Sequence, residues 1–138
     1  MSSQKRNHSQ DRVLAKQKLS AAGLTTNQED TYHWIEIALN KNIYHFVLNL
    51  GHSEPIKLKL AHAEDKSNNQ GAKCCGQLLE LCEYEEPLLF VLAGRGWTYP
   101  KLKKYLPKFK KIVGDSYVIK IEDLTTWIKE QIEKLESH

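Results

Sequence analysis

Apolar and polar residues alternate along much of the first half of the chain. Two alternating stretches, 32–39 and 43–50, are separated by the polar residues 40–42, which predicts a hairpin. The turn-forming residues 51–53 then lead into a third alternating stretch, 55–66. Because a period of two is typical of half-buried strands, this part of the chain predicts a three-stranded antiparallel meander.

One face of the third stretch changes from apolar to charged along its length. Alternate side chains of a strand share a face, and the residues in line here are Ile56, Leu58, Leu60, His62, Glu64 and Lys66. If the apolar part covers the core, the acid and the lysine stand where the sheet opens to solvent. We therefore predict a site at this strand end, with a carboxylate for a metal ion and a cation beside it.

Helical spacing of apolar residues occurs near both ends of the chain and in its middle. Ser9 is a cap candidate for a first helix, with a weak apolar stripe, that ends near Gly23. Apolar residues recur at helical spacing from Cys75 to Cys82, and a final amphipathic helix begins around Glu122. These patterns predict three helices that can pack against a sheet.

The segment 87–93, PLLFVLA, is apolar on both faces, as is typical of a central parallel strand. A lysine-rich segment and a short strand from Tyr117 then precede the final helix. The predicted fold is a single α/β domain: a three-stranded meander followed by a βαβ crossover (an αβββαβ core), with a C-terminal strand and helix. Residues 1–9 are predicted to be a disordered polar tail, and residues 10–138 to form the domain.

The composition is that of one globular domain. A chain of 138 residues buries about two thirds of its unfolded surface and folds without disulfides. No run of about 18 apolar residues suggests a membrane span. The amino terminus lacks the apolar core of a secretory signal, and the three cysteines are clustered and odd in number, so the reducing cytoplasm is the predicted location.

The net charge of +3 conceals an uneven distribution. Residues 1–28 hold five basic residues against one acid, and residues 101–111 hold six lysines and no acid, so the middle of the chain is acidic. Basic segments of this density neutralise phosphates and release counterions, which favours nucleic acid as a partner. A solvated lysine-rich surface that only aids solubility is the alternative interpretation.

The order of the elements, with Glu64-Asp65-Lys66 at the end of the third strand, resembles the PD-(D/E)XK nuclease superfamily, which has the restriction-endonuclease-like fold. The similarity extends over the buried strand and its Gly-Arg-Gly-Trp turn, the lysine-rich segment and the last helix. The resemblance implies that Glu64 is an acidic metal ligand and Lys66 the motif lysine. It also implies that Gln77 helps to order the site.

The sequence departs from the family pattern at the first acidic residue of the site. The family usually has an aspartate at the end of the second strand, and the stretch 43–50 contains no acid. Glu54 from the following turn is the predicted substitute, and Glu36 a more remote one. An inactive homologue, or a subunit that binds DNA beside a catalytic partner, is the alternative.

The resemblance implies a restriction-type endonuclease that hydrolyses DNA phosphodiester bonds with Mg²⁺, or alternatively Mn²⁺, and acts as a homodimer or as a subunit of a larger complex. Glu64 and Glu54 are predicted to hold the metal. The predicted phosphate contacts are Arg95, Lys101, Lys103, Lys104, Lys108, Lys110 and Lys111.

A zinc site is a rival interpretation. His62 and Glu64, with Cys74 and Cys75, are similar to parts of the zinc deaminase signature. Adjacent cysteines on a helix point about 100° apart and seldom share a metal ion. Cys75 and Cys82 are instead predicted to pack in the core, and Cys74 to be a half-exposed thiol. The three tryptophans are likewise predicted to be packing residues rather than base-stacking platforms: Trp34, Trp97 and Trp127.

Overall fold

The computed structural model describes residues 8–37, 44–62, 88–94, 97, 103–104, 107 and 117–137. The predicted helix at 75–82 and most of the lysine-rich segment lie outside these residues. Within the described parts of the chain, no helix is long and apolar enough to cross a membrane.

Five strands form one mixed sheet in chain order. They are β1 (Tyr32–Glu36), β2 (Phe46–Leu50), β3 (Ile56–His62), β4 (Leu88–Ala93) and β5 (Tyr117–Lys120). The first three pair antiparallel, whereas β3 with β4 and β4 with β5 pair parallel. This topology confirms the predicted meander followed by a parallel crossover, because parallel neighbours cannot be joined by a tight turn.

In the described parts of the chain, two helices pack on the sheet: α1 (His8–Ala21) and α2 (Leu124–Glu136), the latter preceded by a 3₁₀ helix at Ile121–Asp123. Together with the sheet they form a single small α/β domain. The α1 helix begins one residue before the predicted cap at Ser9, a difference within the usual range for helix ends.

The core lies between the helices and one face of the sheet. It takes every second residue of β2 and β3, as their alternating sequences predict. Leu124, Trp127 and Ile128 of α2 are buried against it, and Ile132 is partly buried there. In β4 all six residues are buried, which confirms the prediction of a central strand that is covered on both faces.

Gly23 ends α1 with a left-handed backbone turn. Its φ is +97°, and its N–H donates to the carbonyl of Ser20 while the N–H of Leu24 donates to that of Leu19. This hydrogen-bond pair is the Schellman arrangement, which satisfies carbonyl groups that a helix end leaves open. Leu19 and Leu24 are both buried, so the turn directs the chain back into the core.

Gly23→Ala is expected to lower the free energy of unfolding by about 1 to 2 kcal/mol, because an L side chain is strained in the left-handed region. A Cβ atom at Gly23 would meet no atom within 4 Å, so the cost is purely conformational. Urea unfolding measures it. Gly23→Asn is the matched control, since asparagine tolerates this conformation, and it should lose less. Equal losses in the two variants would contradict the conformational account.

Candidate functional site

The last three residues of β3 are each held by a side chain from another element. The N–H of Leu60 donates to the ring of His45, the carbonyl of Ala61 accepts from Trp97, and the ring of His62 contacts Asp11. Most side-chain hydrogen bonds go to loops and helix ends, where the backbone lacks partners. Here they converge on the strand end that the sequence marks as the candidate site.

His45 extends the pairing of β2 with β3. The ladder of these strands ends where Phe46 faces Leu58, and the N–H of His45 still donates to the carbonyl of Leu58 at 2.8 Å. One step further, His45 Nδ1 accepts from the N–H of Leu60 at 3.0 Å, so this nitrogen carries no proton in the bond. His45, directly before β2, is 1% exposed, so this bond lies in the interior.

Trp97 forms a hydrogen bond with β3 on the side where β4 lies. Its indole Nε1 donates to the carbonyl of Ala61 at 3.1 Å, and the side chain is 3% exposed. Gly94, directly after β4, has φ +95°, a left-handed backbone conformation that suits glycine. Trp34 and Trp127 are buried as well, so all three tryptophans pack in the interior as predicted.

Asp11 reaches His62 from α1. The helix buries Asp11, Ala15 and Leu19, which recur at helical spacing along one face, and Ala22 directly after the helix is buried as well. That face packs on β3, and the Nδ1–H of His62 donates to the Asp11 carboxylate. Asp11 is fully buried, so this contact compensates for the large cost of removing a carboxylate from water.

Glu36, the last residue of β1, also contacts α1 and binds two of its basic side chains. Its carboxylate lies 2.6 Å from Arg12 Nη2 and 2.6 Å from Lys16 Nζ. Burial by itself would raise the pKa of Glu36, but the hydrogen bond from Lys16 and the charge of Arg12 outweigh burial and lower that pKa. Glu36 therefore acts as an ionised anchor for α1.

Among the predicted site residues, Glu64, Lys66 and Gln77 lie outside the described part of the chain. Glu54 is exposed in the turn before β3. Since β3 has seven residues, its ends Ile56 and His62 are roughly 20 Å apart, and Glu54 lies in the turn before Ile56. This position gives no support to Glu54 as an acid of the site. Of the predicted phosphate contacts, Lys103 and Lys104 are exposed, and the others are not among the described residues.

The described residues hold no group of three or more histidine, cysteine, aspartate or glutamate side chains that could bind a metal ion. Magnesium is usually bound through one or two carboxylates with water completing its shell, and Asp11 is the carboxylate that stands beside the end of β3. Its carboxylate oxygens are of the type that magnesium prefers, and the side chain is fully buried against His62.

The sequence interpretation missed Asp11, because the weak apolar stripe of α1 did not indicate which face is buried. The spacing of Asp11 with Ala15, Leu19 and Ala22 was the available signal. It is faint, since two of those residues are alanines and one is charged. Only the packing of α1 on β3 brings Asp11 and His62 together across 51 positions of the sequence.

Glu36→Gln is expected to reduce stability at neutral pH and to remove part of its acid sensitivity. A carboxyl whose pKa is lowered on folding stabilises the protein above its unfolded pKa of about 4.3. That contribution disappears as the pH falls through the lowered folded pKa. The difference in unfolding free energy between wild type and Glu36→Gln should thus be largest near pH 7 and shrink toward pH 3.

Glu54→Gln is the control for the loss of one acid, because Glu54 is exposed in a turn. The difference in unfolding free energy between wild type and Glu54→Gln should vary little with pH. Urea titrations at several pH values measure both variants. A pH-independent difference for Glu36→Gln would contradict the ion-pair account.

No family model matches the sequence, and no curated protein matches it. Among solved structures, the chain is similar to SfsA from Pyrococcus furiosus, determined in complex with Ca²⁺, with a TM-score of 0.46 and 12% sequence identity. The similarity covers 78% of this chain and 55% of the SfsA chain, so this chain spans about half of that protein.

Proposed function

We propose that the protein is a metal-dependent DNA endonuclease of restriction type, with its site at the end of β3. The observation that carries this proposal is the convergence of Asp11, His45 and Trp97 on the last three residues of that strand. Immediately after them the sequence continues through Glu64-Asp65-Lys66. A strand end fixed from three sides suits a reaction that depends on accurately placed charges.

Glu64 and Asp11 are the carboxylates that we assign to hold the metal. Asp11 replaces Glu54 in this role because it contacts the final residue of β3, whereas Glu54 stands at the other end. A bound Mg²⁺ or Mn²⁺ supplies Lewis-acid stabilisation of the charge that develops on the phosphate. Lys66 orients the attacking water, and Gln77 helps to order the site.

The partner that we propose is DNA, bound through the lysine-rich segment. Lys103 and Lys104 are exposed, as phosphate contacts must be. Cutting both strands of a duplex requires two sites, so we propose a homodimer or a place in a larger complex. The clustered cysteines favour the reducing cytoplasm as its location.

A non-catalytic DNA-binding or complex-forming protein of the same fold is the second candidate. The observation that favours it is the contact of Asp11 with His62: the carboxylate has 0% exposure and is already engaged by an imidazole. A carboxylate committed in this way can serve purely to hold α1 on β3. This candidate binds DNA and leaves it intact with every divalent metal.

Plasmid cleavage by the full chain in Mg²⁺ or Mn²⁺ distinguishes the two candidates. Under the proposed function the wild type cuts DNA, and Glu64→Ala, Lys66→Ala and Asp11→Asn each reduce the rate by about a hundredfold or more. Asp11→Asn preserves the shape of the side chain, and circular dichroism confirms that each variant is folded. Glu54→Gln, at the far end of β3, is the matched control and should retain the wild-type rate.

Retention of DNA without cleavage in either metal would support the second candidate. Cleavage that persists unchanged in Glu64→Ala and Lys66→Ala would place the site elsewhere. A loss of activity in Glu54→Gln together with full activity in Asp11→Asn would restore Glu54 as the second acid.

Lys103→Gln and Lys104→Gln are expected to weaken DNA binding with little dependence on sequence. Each lysine that neutralises one phosphate contributes about 0.9 to the slope of log affinity against log salt, so the double variant should flatten that slope by about 2. Fluorescence anisotropy at several salt concentrations measures it. Lys129→Gln, an exposed position of α2, is the control, and an equal change there would indicate a general charge effect.

A further inference from the structure

The proposed site adjoins the last residues of β3, whose backbone is bonded by two side chains. We infer that His45 and Trp97 are positioning residues for the proposed site. Their side chains fix the backbone of Leu60 and Ala61 at this end of the strand. The catalytic part of this inference rests on the proposed function, whereas its structural part rests on the two hydrogen bonds.

The His45 ring acts in place of a backbone acceptor. Alternate N–H groups of a strand point to the same neighbour, so the Leu60 N–H points toward β2 as the groups of Leu58 do. The paired residues of β2 end at Phe46, which faces Leu58. A side chain of similar size without an acceptor would fill the same space and leave the buried N–H of Leu60 without this bond.

Trp97 performs the corresponding task on the β4 side. Ala61 faces Leu92 in the parallel ladder, and the carbonyl of Ala61 accepts from an indole that belongs to the segment after β4. Ala61 and Trp97 are both buried, at 3% exposure each. The bond therefore ties the end of β3 to the chain that follows β4, in a region sheltered from water.

These two bonds act on neighbouring residues from opposite sides, and the contact of Asp11 with His62 adds a third direction from α1. A displacement of about 1 Å at a reacting group can reduce a rate by about a hundredfold. Loss of either bond should therefore reduce the cleavage step far more than the affinity for DNA.

Trp97→Phe tests the indole bond, because it keeps a buried aromatic ring and removes the N–H donor. Trp34→Phe is the matched control: Trp34 is also buried, and its Nε1 makes no hydrogen bond to the described residues. Under the inference, Trp97→Phe lowers the single-turnover cleavage rate by about tenfold or more with unchanged DNA affinity. Trp34→Phe changes thermal stability alone.

His45→Leu and His45→Asn form a second test with a rescue. The Oδ1 atom of asparagine is attached at the same carbon as Nδ1 of histidine, so His45→Asn retains an acceptor for the Leu60 N–H. His45→Leu removes it. We expect a tenfold or larger loss of cleavage rate in His45→Leu and a partial recovery in His45→Asn.

Nitrogen-15 spectra of the His62 ring provide a readout that is independent of activity. With Asp11 accepting from Nδ1–H, the wild-type ring should show one Nδ1-protonated form. The signal should shift or broaden in Trp97→Phe and His45→Leu and stay unchanged in Trp34→Phe. If His45→Leu fails to fold, the two tryptophan variants decide the result.

The inference would be overturned if Trp97→Phe left the His62 spectrum unchanged and, should the wild type cleave DNA, also cleaved it at the wild-type rate. If the wild type cuts no DNA, the proposed function fails, and the His62 spectra alone decide whether His45 and Trp97 position the strand end. Equal effects of Trp97→Phe and Trp34→Phe on the His62 signal would also contradict it, since both variants share only the loss of indole packing.

Discussion

The contact between the fully buried Asp11 carboxylate and the partly buried His62 imidazole is the interaction on which the arrangement of the site depends. A carboxylate without exposure is costly to bury unless it has a partner. The α1 helix is therefore favoured in the position on β3 that brings Asp11 to His62. In this position Ala15 and Leu19 of α1 enter the core.

Further contacts hold α1 in the same place, and each contributes less to the free energy of folding. Glu36 joins β1 to two basic residues of α1, and Thr125 Oγ1 of α2 donates to the carbonyl of Lys18 at 2.9 Å. These groups are partly exposed, so each pair contributes less than a buried one. Their main effect is on geometry. They align both helices on one face of the sheet and so help to place Asp11 beside His62.

The sheet could be predicted from the sequence because its pattern is local. Alternation marks β2 and β3, and continuous apolar character marks β4, so their faces follow from a period of two. The inward face of α1 could not be predicted in the same way. Its buried positions include Asp11 and Ala15, and a small or charged residue carries little hydrophobic signal even when it is fully buried.

The sequence by itself determined the order of the strands along the chain, the alternation of β2 and β3 between core and surface, and the burial of β4 on both faces. It also indicated that Trp97 packs in the interior. The tertiary structure decided which distant groups meet at the end of β3: Asp11 lies 51 residues from His62, and Trp97 lies 36 residues from Ala61. Such pairings depend on how a helix docks and where a chain returns after a parallel crossover, and neither leaves a periodic trace in the sequence.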